Sequence, residues 1–277
     1  LGAFLGVFVS AILAVRPELV AVAADSANVV APADLQYVAS SLMPSIVSKN
    51  SSVSFSLDLM NAGGAIVDIA PASSFITFTD GANVYTAAVD GERSDQALPG
   101  INTIWFNSVV VRDGFATGGY TPSVHMEGLE NGLAFAADPV VTDAVSVQEP
   151  SQLAINSIDI IPSNKITADQ SQARLGLVHV ENNGEATVRL DSLSVRLFIG
   201  GDPVSDEFVI TPVSFEPGAE YLEGGRLDSF MVMLADEPSN AMTTGVVTVE
   251  ATVWGTDLNS SAILVATTEY GGKGSFL

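Results

Sequence analysis

Val53, Phe55, Leu57 and Leu59 alternate with Ser54, Ser56 and Asp58, and the stretch runs into Asn61-Ala62-Gly63-Gly64. Successive side chains of a strand point to opposite faces, so this period of two specifies a strand with one face on a core. The residues after it tolerate positive φ, which predicts a tight turn there. The same grammar returns about 120 residues later. "LQYVASSLMPS" at Leu35 matches "LAINSIDIIPS" at Leu153, with Pro44 and Pro162 in register. "SFSLDLMNAGGA" matches "RLGLVHVENNGEA", and "SSFITFTDG" matches "LSVRLFIGGD". "LPG" at Leu98 matches "EPG" at Glu216, each ahead of a strand-like run, and "TGGYTPSVHMEG" matches "TTGVVTVEATVWG". About six or seven short strands, with turn signals roughly every 8–12 residues, written twice, predict two antiparallel β-sandwiches in tandem.

The order of apolar strand, Asn-x-Gly turn, second strand, Pro-Gly, strand and Thr-Gly resembles the immunoglobulin-like modules of bacterial and archaeal surface proteins, notably the CARDB type. Neither half carries the Cys…Trp…Cys core of antibody domains, because the chain has no cysteine. The expected architecture is mainly β: an N-terminal hydrophobic α-helix over 1–24, a linker over 25–34, and two Ig-like sandwiches over 35–147 and 148–277. The boundary falls in "AADPVVTDAVSVQEPSQ" from Ala136, where Val140, Val141, Val145 and Val147 suggest a last strand followed by a short connector.

The opening is a different kind of sequence. Leu1 to Val15 is uncharged and mostly apolar, and Arg16 is the first basic residue. A secretory signal would need a basic region before the apolar run, and Ala21-Val22-Ala23 would be its cleavage site. A membrane span needs about 20 apolar residues, whereas fifteen helical residues reach only about 22 Å. Extending to Ala24 takes Arg16 and Glu18 into or near the hydrocarbon. In its start and its apolar run the chain also resembles type IV pilins, whose mature subunit retains such a run as an N-terminal helix. Leu5 stands where many bacterial pilins carry glutamate, as is common among the archaeal relatives. That resemblance implies an extracellular homopolymer at the cell surface, with transient membrane insertion before assembly. Its polymerisation helix would present Leu1, Phe4, Leu5, Val7 and Phe8, then Val9, Ile12, Leu13 and Val15. A surface adhesin or carbohydrate-binding protein anchored by one helix is an alternative. So is a filament assembled by donor-strand exchange, in which Val20 to Val30 completes a neighbour's open sheet.

With 32 acidic residues against 10 basic ones the formal charge is −22, which repels a phosphate backbone and excludes nucleic acid as a partner. Absence of cysteine excludes disulfides, zinc–thiolate sites and thiol nucleophiles. No G-x-S-x-G elbow or phosphate-cradling loop occurs, so no enzymatic activity and no cofactor are expected. His125 and His179 fall in predicted strands at matching depths in the two halves, and each reads as an ordinary strand residue. Acidic turns are frequent, but none has the spacing of a calcium loop. Asp202, Asp206 and Glu207 come nearest to one, and no metal is expected. Two sequons, at Asn50 and Asn259, fall in predicted turns that would accept surface glycans.

Overall fold

The computed structural model describes residues 29–160, 165–166, 174–203, 210, 213, 215, 217–233 and 246–276. Among these there is no α-helix. The expected helix over 1–24, with all its polymerisation residues, lies outside the described residues.

From Leu35 the chain forms β1 (Leu35–Tyr37), β2 (Ile46–Ser48), β3 (Ser52–Val53), β4 (Ser56–Asn61), β5 (Val67–Ile69), β6 (Phe75–Thr79) and β7 (Val84–Ala88). It continues through β8 (Gln96–Ala97), β9 (Gly100–Trp105), β10 (Val109–Val110), β11 (Gly118–Tyr120), β12 (Ser123–Glu130), β13 (Leu133–Ala137) and β14 (Val145–Gln148). One sheet has the order β1-β4-β9, and the other runs β7-β6-β12-β5-β8 with β13 beside β12. The alternation seen in the sequence is what closes them: Leu57, Leu59 and Ile104 of the first sheet share a buried cluster with Val67, Ile76, Phe78, Val124 and Met126 of the second. Phe55 meets Phe78 across the gap with ring centroids 4.6 Å apart. On the flanks, β3 pairs with β10, and β14 lies between β11 and β2, parallel to β2.

The second half repeats the plan with longer strands: β15 (Leu153–Ile160), β16 (Lys165–Ile166), β17 (Arg174–Asn182), β18 (Val188–Ile199), β19 (Asp202–Pro203), β20 (Tyr221–Leu222), β21 (Leu227–Met233), β22 (Val246–Asp257) and β23 (Ile263–Phe276). Its sheets are β15-β17-β21 and β16-β23-β22-β18-β19, with β20 beside β18. Val178, Val180, Leu190, Leu197, Val249 and Val253 lead its separate core. In the first module two short strands, β5 and β6, pair with β12, whereas β18 runs along β22 as one strand with a register shift between Leu190 and Ser192. Pro71, which has no N–H to give a ladder, sits in the break.

The Asn-x-Gly turns do something other than expected. Neither Gly63 nor Gly64 takes a positive φ. Instead Asn61 is buried, and its Oδ1 accepts from the N–H groups of Gly63 at 3.1 Å and Asp34 at 3.2 Å. Its Nδ2 donates to the carbonyls of Ala65 at 2.8 Å and Ala97 at 3.2 Å. Asn182 repeats every bond: Gly184 and Gln152 donate at 3.1 Å, and Ala186 and Leu222 accept at 2.8 and 3.0 Å. Glycine is required two residues on because the entering chain passes there. A Cβ on Gly63 would stand 1.9 Å from the Pro32 carbonyl oxygen, and one on Gly184 would stand 2.0 Å from that of Pro150.

The two halves meet at a polar junction. Asp257, buried at the end of β22, anchors the start of the second half by accepting from the Ser151 N–H at 2.8 Å and hydroxyl at 2.6 Å and from Ser260 N–H at 2.8 Å. Burial pushes its carboxyl up, but these donors win and hold it below the ordinary carboxylate range. Lys49 pairs with Glu149 of the connector.

Each buried asparagine satisfies four backbone groups, so Asn61→Ala and Asn182→Ala should each lower unfolding free energy by roughly 3 kcal/mol. The loss should be confined to the altered module. Trp105 and Trp254, the chain's 2 tryptophans, lie one in each half, so urea unfolding of single-tryptophan variants reads each half by fluorescence. A loss below about 1 kcal/mol in either half would contradict this role.

Candidate functional site

The strongest candidate is a slot in the first module between β7 and β10. Asp80 N–H donates to the Asn83 carbonyl at 3.2 Å, which makes Asp80 and Asn83 a bonded pair closing the β6–β7 hairpin. Bonding direction alternates along an antiparallel pair, so the N–H and C=O groups of Val84 and Thr86 turn away from β6. Ala88, next in that series, confirms the direction by accepting from Asn107 N–H at 2.8 Å. On the facing wall, Val111 exchanges bonds with Asn50 and Ser51, so Val110 and Arg112 turn their backbone toward β7. Arg112 N–H indeed donates to the Tyr85 hydroxyl at 2.9 Å.

The slot is therefore a gap between two strand edges, bounded at both ends. The Asn107–Ala88 bond closes one end, and the Asn83 amide donating to Gly114 O at 2.9 Å closes the other. Between them lies a cavity of about 590 Å³ lined by Val84, Thr86, Val109, Val110 and Arg112. Val84 is 66% exposed and Val110 51%, a high fraction for facing β-branched side chains. The rim is firmly held. The Asp80 carboxylate accepts from the Asn83 amide at 3.0 Å and from the N–H groups of Asn83, Ala116 and Ala82 at 2.6, 3.0 and 2.9 Å. These donors, the Asn83 amide first, hold its carboxyl far below the ordinary range. Beneath, Phe115 stacks edge-on against Tyr85 and Tyr120 at 4.9 and 4.8 Å. Asp80 belongs to the "TDG" turn, and its oxygens are taken up in ordering two loops.

Both histidines lie on strands, as expected, one in each half. His125 lies on β12, at the floor of a shallow 450 Å³ depression lined by Ser73, Phe75, Glu127 and Asp138. Its Nδ1 is 2.7 Å from Asp138 Oδ1 and its Nε2 is 3.1 Å from Glu127 Oε1, with Phe75 stacked 5.2 Å away. Carboxylates at both ring nitrogens suit an imidazolium that donates twice, and the Asp138 and Glu127 hydrogen bonds raise its pKa above the ordinary imidazole value. His179 lies on β17, where Nδ1 is 2.6 Å from Ser229 Oγ and Nε2 is 3.0 Å from Asp159 Oδ2. The residue types are those of a hydrolytic triad, but the row lies on the outer face of β15-β17-β21, and Ser229 N–H is engaged by Asp228. The first module shows the same device: Asp58, three residues before Asn61 as His179 is before Asn182, accepts from the Thr103 hydroxyl at 2.7 Å across to β9. Both are cross-strand pins of an exposed sheet face.

Among the described residues no group of three histidine or carboxylate side chains is arranged to hold a metal ion. Asp202 is exposed on β19, and Asp206 and Glu207 lie outside the described residues. Asn50 is exposed, with its amide donating to Asp113. The Asn259 amide is committed to the junction, donating to Ser48 Oγ at 3.1 Å and Gln148 Oε1 at 2.9 Å. A glycan on that nitrogen would replace a junction donor, so the two sequons are not equivalent.

No family model matches the chain, and no curated protein matches it. Among solved structures, it is similar over 88% of its length to 97% of DIP-gamma IG1+IG2, at 10% identity and a TM-score of 0.30. It is similar over 73% of its length to 40% of zebrafish RET cadherin-like domains 1 to 4, at 11% identity and a TM-score of 0.32. A protein of unknown function from Porphyromonas gingivalis W83 is similar over 86% of this chain and 99% of its own, at 13% identity and a TM-score of 0.23. The mainly β architecture, two sheets facing each other in each half, is read from the pairing itself.

A histidine raised by partners in the fold stabilises it fully below the unfolded imidazole value of about 6.5, and that contribution is lost as pH rises through the raised value. His125 should accordingly titrate above about 6.5 by NMR, and Asp138→Asn should bring its midpoint down. An unchanged midpoint in that variant would show that Asp138 does not hold the proton.

Proposed function

We propose that this protein is a structural subunit of an extracellular cell-surface filament of the archaeal type IV pilus kind, not an enzyme. The observation that carries this reading is the uncharged run Leu1 to Val15 in a chain of net charge −22, ahead of two tandem β-modules. In water such a run is a liability for a lone subunit. Bundled as helices along a filament axis, it would shelter on copies of itself. Burying fifteen apolar helical residues removes on the order of 1,000 Å² from water, or roughly 25 kcal/mol before ordering costs. That exceeds the repulsion expected of acidic modules held at the periphery, where salt screens them. Before assembly the same run would hold the subunit in the membrane. The acidic modules would then coat the polymer, keep filaments apart and offer Asn50 for surface glycans.

Deleting Leu1 to Val15 should leave a soluble protein that sediments as a monomer, while the full chain forms filaments of uniform width in negative stain. Filaments from the deleted protein would show that the apolar run does not drive assembly, and isolated knobs from the full chain would favour a helix-anchored adhesin.

A further inference from the structure

We infer that the slot between β7 and β10 accepts an extended strand from a second copy of this chain, and that residues Leu19 to Ala24 supply it. This rests on the filament reading for its partner, but the slot's chemistry stands on its own geometry. β7 ends its sheet, so Val84 and Thr86 each offer one N–H and one C=O to an added strand. Unpaired ladder groups beside exposed aliphatic side chains are what a strand-adding partner needs: backbone bonds for affinity, and apolar contact for side chains on alternate positions. Val84 and Val110 supply that contact, and the bonds made by Asn83 and Asn107 fix the two ends of the slot, so the ladder an incoming strand can form is short and centred on Val84 to Thr86.

The chain itself contains a fitting occupant. Leu19-Val20-Ala21-Val22-Ala23-Ala24 lies outside the described residues and leads into Val29, which is 93% exposed at the entrance to the first module. Extended, it would set Val20, Val22 and Ala24 on one face and Leu19, Ala21 and Ala23 on the other, both uncharged and one led by valines to match a short slot walled by valines. Charge agrees as well. Arg112 lines the slot and forms no ion pair among the described residues, and the segment is flanked by Glu18 and Asp25. The donor lies immediately beyond Pro17, so it is separate from the apolar run Leu1 to Val15. Both contacts can therefore operate in one polymer, the helices at the axis and the donated strand between neighbouring modules. A contact between two different surfaces of identical subunits is heterologous and propagates.

Because the chain has no cysteine, the test is direct. Full-length Val22→Cys and full-length Val84→Cys are mixed, assembled and treated with a short thiol-specific cross-linker. A dimer band present only in the mixture is the expected result. Thr86→Pro, which removes an edge N–H at a position where an edge strand tolerates proline, should reduce that band at least tenfold. Filaments without any cross-link would overturn the slot while leaving the filament reading intact. The doubly substituted chain, cross-linked only within itself and running as a compact monomer, would overturn a second copy as the donor. Cross-linked ladders without filaments would uphold the slot and remove the filament reading.

Discussion

A buried asparagine holds each module together. Asn61 and Asn182 each reach three parts of the chain at once: the segment entering the first strand, the turn that follows their own strand, and a short strand of the opposite sheet. Backbone groups at such a crossing cannot reach water, and an unpaired one costs about 1–3 kcal/mol. One side chain with two donors and an acceptor resolves the whole crossing, and a glycine two residues on lets the chains approach closely enough for it to do so. The sandwich closes around that point, and the apolar faces then have only one way to meet.

Much of this plan was legible. Alternation at Val53 to Leu59 states a half-buried strand without reference to anything distant, and the pairing of "NAGG" with "NNGE" puts Asn61 and Asn182 in equivalent places. Gly128 and Gly255, matched at the ends of two strand-like runs, also coincide: a Cβ at either would strike the neighbouring strand. What those asparagines do was not legible. An Asn-x-Gly string is written identically whether it turns by positive φ or by a side chain that caps three segments, and only burial separates the two. What the histidines touch was no more legible, because the carboxylates at their rings, Asp138 and Asp159, come from other segments of the chain. The slot left still less trace. Val84 and Val110 look like ordinary strand residues, and whether a strand ends its sheet is a property of the pairing rather than of the strand.

Electrostatics limits what can hold copies of such a chain together. Charge contact between two bodies of net charge −22 opposes association, and basic groups are too few to reverse it. Association therefore depends on forces indifferent to charge: apolar burial and backbone hydrogen bonding. In the assembly proposed above, the apolar run would supply the first and the open edge of β7 the second. The ion pairs among the described residues are made within the chain: Lys49 with Glu149 at the connector, Arg189 with Asp191 and Arg226 with Glu223 in the second half.

The parallel pairing of β2 with β14, and of β16 with β23, has a mechanical side. In each module a strand near the beginning lies alongside one near the end, both running the same way. Tension along the chain would first peel β1 from β4, and would then drag two parallel strands past each other lengthwise. A ladder loaded in that direction shares the pull among all its rungs, whereas one opened from its end breaks them in turn. Loaded through such a pairing, each module would resist stretching more than the same few rungs opened one at a time.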